Sequence, residues 1–151
     1  MSPALSTWGP GVAYSRLMRY RSGPDIELPN LAVECDLCES WEMETPTSFV
    51  FRLREGIRWQ NLEPVNGRVL TSEDIAFSYV RQSQATFANA PLMRNIDTVQ
   101  PISDSEFRIT LEAQDADFFS ALADGHSKIV AREAVEQAGD LRNGPTVGTG
   151  P

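Results

Sequence analysis

From Phe49 to Leu53 apolar side chains occupy every second position, placing Phe49, Phe51 and Leu53 on one face and Val50, Arg52 and Arg54 on the other. The preceding run has the same period: Trp41 and Met43 alternate with Glu42 and Glu44, and Thr45-Pro46-Thr47 separates the two as a turn. The pattern predicts an antiparallel hairpin. Its inner face buries both Trp41 and Phe51, and its outer face opposes Glu42 and Glu44 to Arg52 and Arg54. A second pair of strands is predicted at 96–101 and 106–112, with Phe107, Ile109 and Leu111 facing inward and Ser103-Asp104-Ser105 as the loop.

Helical spacing occurs in four places. A short pattern from Gly11 to Tyr20 offers Val12, Leu17 and Met18 as inner residues and is broken by Ser22-Gly23-Pro24-Asp25. An extended stretch then runs from Leu28 to Glu44. Thr71 is a helix cap, with Asp74 three positions on completing a capping box, and Ile75, Ala76, Tyr79 and Val80 forming the apolar stripe. Residues 56–68 and 85–91 read as loops. Asp115 or Asp117 caps a short helix carrying Phe118, Phe119 and Leu122, stopped by Gly125. A last helix spans 131–138 and ends at Gly139. The expected fold is α+β, a small and mainly antiparallel sheet with flanking helices.

Composition narrows the function. The chain has 151 residues, 41% of them hydrophobic, and a chain of that size buries about two-thirds of its unfolded surface without needing staples. With 13 basic and 21 acidic residues the net charge is −8, which argues against a nucleic-acid partner. No apolar run approaches the ~20 residues of a membrane span. The first residues, Met1-Ser2-Pro3-Ala4-Leu5, have neither a basic nor an apolar signal region. Gly148-Thr149-Gly150-Pro151 is a turn-forming string that ordinarily leads into further chain, so the sequence reads as a segment of a longer, processed protein.

Enzyme chemistry is thinly represented. One histidine, His126, lies in a Gly125-His126-Ser127 turn and reads as an exposed loop residue. Glu73 and Asp74 are adjacent on a helix and point apart, so they complement the helix dipole better than they form a catalytic pair. No phosphate loop, dinucleotide fingerprint or nucleophile elbow is present. Cys35 and Cys38 stand in a C-x-x-C spacing, but a zinc site wants four ligands, and Glu34, Asp36 and Glu39 surround the pair with negative charge that blunts thiol reactivity. Either a local disulfide or two half-buried thiols fits them. No metal and no cofactor is expected. Trp8, Trp41 and Trp59 are candidates to stack on a sugar or peptide side chain; the strand phase assigns Trp41 to the core, and Trp8, in a Gly/Pro-rich stretch, is the one expected to be exposed.

Several strings stand in order along the chain: Tyr14-Ser15-Arg16-Leu17-Met18-Arg19-Tyr20; Leu28-Pro29-Asn30-Leu31-Ala32 followed by Glu39-Ser40-Trp41-Glu42; and Phe49-Val50-Phe51-Arg52-Leu53-Arg54-Glu55-Gly56-Ile57-Arg58-Trp59. Leu70-Thr71-Ser72-Glu73-Asp74-Ile75-Ala76-Phe77-Ser78, Phe107-Arg108-Ile109-Thr110-Leu111 and Val147-Gly148-Thr149-Gly150-Pro151 follow. In this order they resemble the family 5 extracytoplasmic solute-binding proteins of ABC importers, the dipeptide- and oligopeptide-binding type. The sequence departs from the family at Val33 to Cys38, an insertion holding both cysteines, and at Gln60 to Gly67, which replaces a shorter turn.

The resemblance implies part of the first lobe of a periplasmic-binding-protein-like fold. Residues 1–30 would lead in from the main lobe, 31–145 would form an outer subdomain, and 146–151 would return to the main lobe. It implies a substrate-binding component that captures a peptide or other small polar solute outside the cytoplasmic membrane and hands it to an ABC permease. Such a protein is periplasmic or lipid-anchored. The fragment itself is expected to be monomeric. The residues this chain would bring to the solute are Ser6, Thr7, Trp8 and Gly9 at one end and Gly148 and Thr149 at the other, where glycines permit close backbone approach. The rival reading is a non-catalytic interaction or scaffold domain of an extracytoplasmic protein.

Overall fold

The computed structural model describes residues 9–26, 31–87, 89–139, 141 and 144–150. A 3-10 helix at Gly9–Ala13 precedes β1 (Met18–Tyr20), β2 (Val33–Cys35), β3 (Cys38–Thr45) and β4 (Ser48–Leu53). Then come α1 (Ser72–Ser83), α2 (Ala90–Met93), β5 (Ile96–Ser103), β6 (Glu106–Leu111), α3 (Phe118–Ala123) and α4 (Arg132–Ala138). β3 to β6 form a four-stranded antiparallel sheet in the order β3-β4-β6-β5, and β1 pairs with β2 in a separate two-stranded ribbon.

The alternation in β4 and β6 builds the core. Phe49 pairs with Ile109 and Phe51 with Phe107, and Leu53 and Leu111 are buried beside them; the Phe51 and Phe107 rings stack with centroids 5.5 Å apart. Ile75 and Tyr79 of α1, Phe118 and Leu122 of α3, Met18 of β1 and Leu17 just before it are buried in the same cluster. Thr71 caps α1 as the sequence implies, its backbone N–H donating to Asp74 Oδ2 at 3.0 Å to close the capping box. Gly139 ends α4 with a φ of 69°, a conformation open to glycine.

Several expectations are corrected. The 11–20 pattern does not become one helix: the chain makes a single 3-10 turn and then pairs Met18 with Cys35 and Tyr20 with Val33. Glycines at 9 and 11 weaken a helix there, and strand pairing satisfies the backbone instead. Val12 is exposed, while Leu17 and Met18 are buried.

Trp41 is opposite Phe51 in the hairpin register, so the phase is right, yet it is 44% exposed against 0% for Phe51. β3 is an edge strand, and among the described residues the Phe119 ring, 4.5 Å away, and the Phe49 ring, 6.3 Å away, cover only part of the indole. Conversely, Trp59 is almost wholly buried.

The cross-strand charge set also differs. The register opposes Ser40 to Arg52 and Glu42 to Val50, with irregularities on either side. Glu44 instead forms a two-pronged pair with Arg108 of β6 at 2.8 and 2.9 Å, Arg52 reaches Glu106 at 3.6 Å, and Arg54 Nε donates to the Asp36 carbonyl.

Val80 lies exposed because α1 is rotated toward Ser78, whose hydroxyl accepts from Val130 N–H and donates to its carbonyl. The 85–91 link contains the start of α2. His126 is half-buried, with Nδ1 at 2.8 Å from Asp124 Oδ1.

Candidate functional site

Of the residues expected to face a solute, Ser6, Thr7 and Trp8 lie outside the described residues. The structure brings the others close together. Gly9 opens the 3-10 helix, and the segment from Val147 to Gly150 packs against that helix's last residue, Ala13. Gly150 N–H donates to the Ala13 carbonyl at 2.8 Å. A β-carbon on Gly148 would sit 1.8 Å from that same oxygen, so only glycine fits. Val147 is buried in the core and anchors the segment.

Gln60 locks the arrangement. Its backbone N–H donates to the Gly148 carbonyl at 2.9 Å, its side-chain Oε1 accepts from Gly148 N–H at 3.2 Å, and its Nε2 donates to the Gly150 carbonyl at 3.1 Å. Gln60 follows the aromatic string where the sequence departs from the family pattern. Its role is tertiary, across a separation of 88 to 90 positions, and no local periodicity marks it. The Thr149 hydroxyl is buried and has no hydrogen-bond partner among the described residues.

The loop that carries Gln60 is itself held by charge. Arg68 forks onto Asp74 at 2.7 and 2.8 Å and onto Glu133 at 2.6 and 2.8 Å, joining the 56–70 loop to α1 and α4. The buried Asp74 carboxylate also accepts from the Trp59 indole at 3.3 Å. Asp74, and secondarily Glu133, hold the Arg68 guanidinium in its charged form, and Arg68 in turn keeps the Glu133 carboxyl below its ordinary value.

Beside the 3-10 helix is a cleft of about 320 Å³ lined by Gly11, Val12, Tyr14, Arg16, Gly125 and Lys128, at the lower end of the volumes small-molecule sites occupy. Burial raises the Tyr14 phenol above its ordinary value; burial, followed by the nearby Arg16 charge, lowers the Lys128 amine. Cys35 and Cys38 are joined in a disulfide at the β2–β3 junction. Among the described residues no group of three or more His, Cys, Asp and Glu side chains is arranged to hold a metal ion, and no helix is long and apolar enough to cross a membrane.

An antiparallel lobe with two distant chain segments meeting at a glycine contact beside a cleft is the architecture of a solute-receptor lobe, and the comparisons agree. Residues 32–151 match the family model described as bacterial extracellular solute-binding proteins, family 5 Middle. The chain belongs to that family. It is 27% identical to heme-binding protein A of Haemophilus influenzae and 26% identical to di/tripeptide-binding protein 2 of Pseudomonas aeruginosa, in each case over 91% of this chain. It spans 28% and 29% of the lengths of those two relatives. The fold is also that of an ABC transporter-associated periplasmic binding protein from Helicobacter pylori solved with a peptide, with a TM-score of 0.76 at 21% identity, covering 100% of this chain and 32% of that one. These relatives are named as binding proteins.

Proposed function

We propose that this chain is one side of the solute-binding component of an ABC importer that captures a peptide or another small polar solute outside the cytoplasmic membrane. The observation that carries the reading is the junction at Ala13, where the Gly9–Ala13 turn and the 148–150 segment fold together through glycines and Gln60. Two strands of chain that leave an outer unit side by side are the natural connection to a larger lobe. Residues 1–30 then serve as the lead-in, 31–145 as the outer subdomain, and 146–151 as the return. The Thr149 hydroxyl there, without a hydrogen-bond partner among the described residues, is suited to a polar end of a solute, because a buried solute must have its polar atoms paired.

A second lobe closing over that junction would complete the site and shield it from water. The receptor would work as a monomer, free or lipid-anchored, and deliver to an ABC permease. The disulfide suits an oxidising compartment. One observation favours the rival interaction-domain reading: Trp41 and Met43 are exposed on the edge strand β3.

The test is a thermal-shift screen of the full receptor carrying this sequence against di- and tripeptides and heme. A solute at 100 times its dissociation constant should stabilise the receptor by about 2.7 kcal/mol, visible as a rise in melting temperature. No shift with any solute, together with capture of a protein partner abolished by Trp41→Ala, would replace this reading with the interaction domain.

A further inference from the structure

We infer that the cleft between the 3-10 helix and the 125–128 segment binds a carboxylate, with Arg16 as its principal counter-ion. The inference deepens the solute-receptor reading and rests on it. Arg16 and Lys128 are direct antiparallel bridge partners, so their side chains project together into the cleft mouth. Like charges directly opposite each other disfavour such pairing, and an anion seated between them reverses the sign of that contribution.

Arg16 is set up to serve it. Its guanidinium makes no ion pair among the described residues; Nη1 donates to the Ala123 carbonyl at 3.2 Å, which orients the fork. The nearby Asp36 carboxylate is engaged by the backbone N–H of Arg16, at 3.1 Å.

The remaining lining suits one small anionic group. Gly11 and Gly125 keep two walls low, and the Tyr14 hydroxyl adds a neutral donor. Arg81 contributes further positive potential at Tyr14. The guanidinium fork matches a carboxylate in two-pronged geometry, which a lysine at 16 would not reproduce. A protein of net charge −8 that places Arg16 and Lys128 together at one cleft has a local field there opposite to its overall one.

The test is a ¹⁵N-resolved NMR titration of the 151-residue chain with sodium acetate, against sodium chloride at matched ionic strength and against an N-acetylated dipeptide amide as a peptide without charge. Acetate should shift the amides of Gly11, Val12, Gly125 and Lys128 saturably, with a dissociation constant on the order of 1–50 mM. Arg16→Gln should weaken it about tenfold, and Arg16→Lys, which keeps the charge but loses the fork, should restore only part of that loss. The wild-type comparison stands even if Arg16→Gln fails to fold. Shifts that chloride reproduces, or an unchanged constant in folded Arg16→Gln, would overturn the inference. A response to the capped dipeptide amide without one to acetate would also overturn it, while leaving the solute-receptor reading in place.

Discussion

Gly148 approaches Ala13 so closely that a β-carbon would lie 1.8 Å from the Ala13 carbonyl oxygen and 2.6 Å from its carbon. The contact is backbone against backbone, so no side-chain rotation can relieve it. Gly148→Ala must push the 147–150 segment off the 3-10 helix, breaking the Gln60 and Gly150 hydrogen bonds with it. We expect a loss of about 1–3 kcal/mol, seen as a fall of roughly 3–10 °C in melting temperature. Gly56→Ala is the control: it has a φ of 73° and nothing within 4 Å, so it should cost only the ~1–2 kcal/mol of left-handed strain.

The hairpin separates phase from burial. Phe51→Ala removes a ring that is fully buried against Phe107, and should cost about 3–5 kcal/mol in a denaturant titration. Trp41→Ala, directly opposite, loses an indole that is 44% exposed and should cost about 1–2 kcal/mol. Equal losses would mean that something covers β3.

Acid should loosen the charge-held loop. Arg68 holds the folded Glu133 carboxyl below its ordinary value of 4.5. A depressed folded value contributes stability that is present above the unfolded value and lost as pH falls through the folded one. Stability should therefore be level in this respect down to about pH 5 and decline below ~4.5. Glu133→Gln should flatten part of that decline; a variant with an unchanged acid slope would remove Glu133 from the account.

Reduction should leave the fold intact. Cys35 and Cys38 are separated by three positions, so the bridge closes a short loop, worth about 2 kcal/mol at most by chain entropy. The same loop is held by Asp36 and Cys38 N–H groups donating to the Leu17 carbonyl and by Leu37 N–H donating to that of Arg16. Treatment with a phosphine reductant should lower the melting temperature by less than about 8 °C, with far-UV circular dichroism unchanged.

Local patterns carried the fold well wherever both faces of an element had their final neighbours. The β4 and β6 alternation, the Thr71–Asp74 cap and the Gly139 stop all rest on residues within a few positions of each other, and all are present. Periodicity assigned Trp41 to the correct face but not its exposure, because exposure at an edge strand depends on what packs beyond the sheet. Val80 follows the same logic: the α1 stripe was legible, but the Ser78–Val130 contact that turns it was not. At the candidate site, glycines flagged Gly148, whereas Gln60 and Arg16 act through partners some 90 and 110 positions away and leave no local trace.

The central claim is that these residues supply one side of a two-sided solute site. Calorimetric titration of the 151-residue chain with a library of short peptides tests it most directly. A solute in such a site is desolvated from both sides at once, and each 1.4 kcal/mol of lost contact is tenfold in affinity. The account predicts no saturable peptide binding tighter than about 100 μM. A saturable isotherm tighter than that would show that the whole site lies within this chain, and would contradict the account.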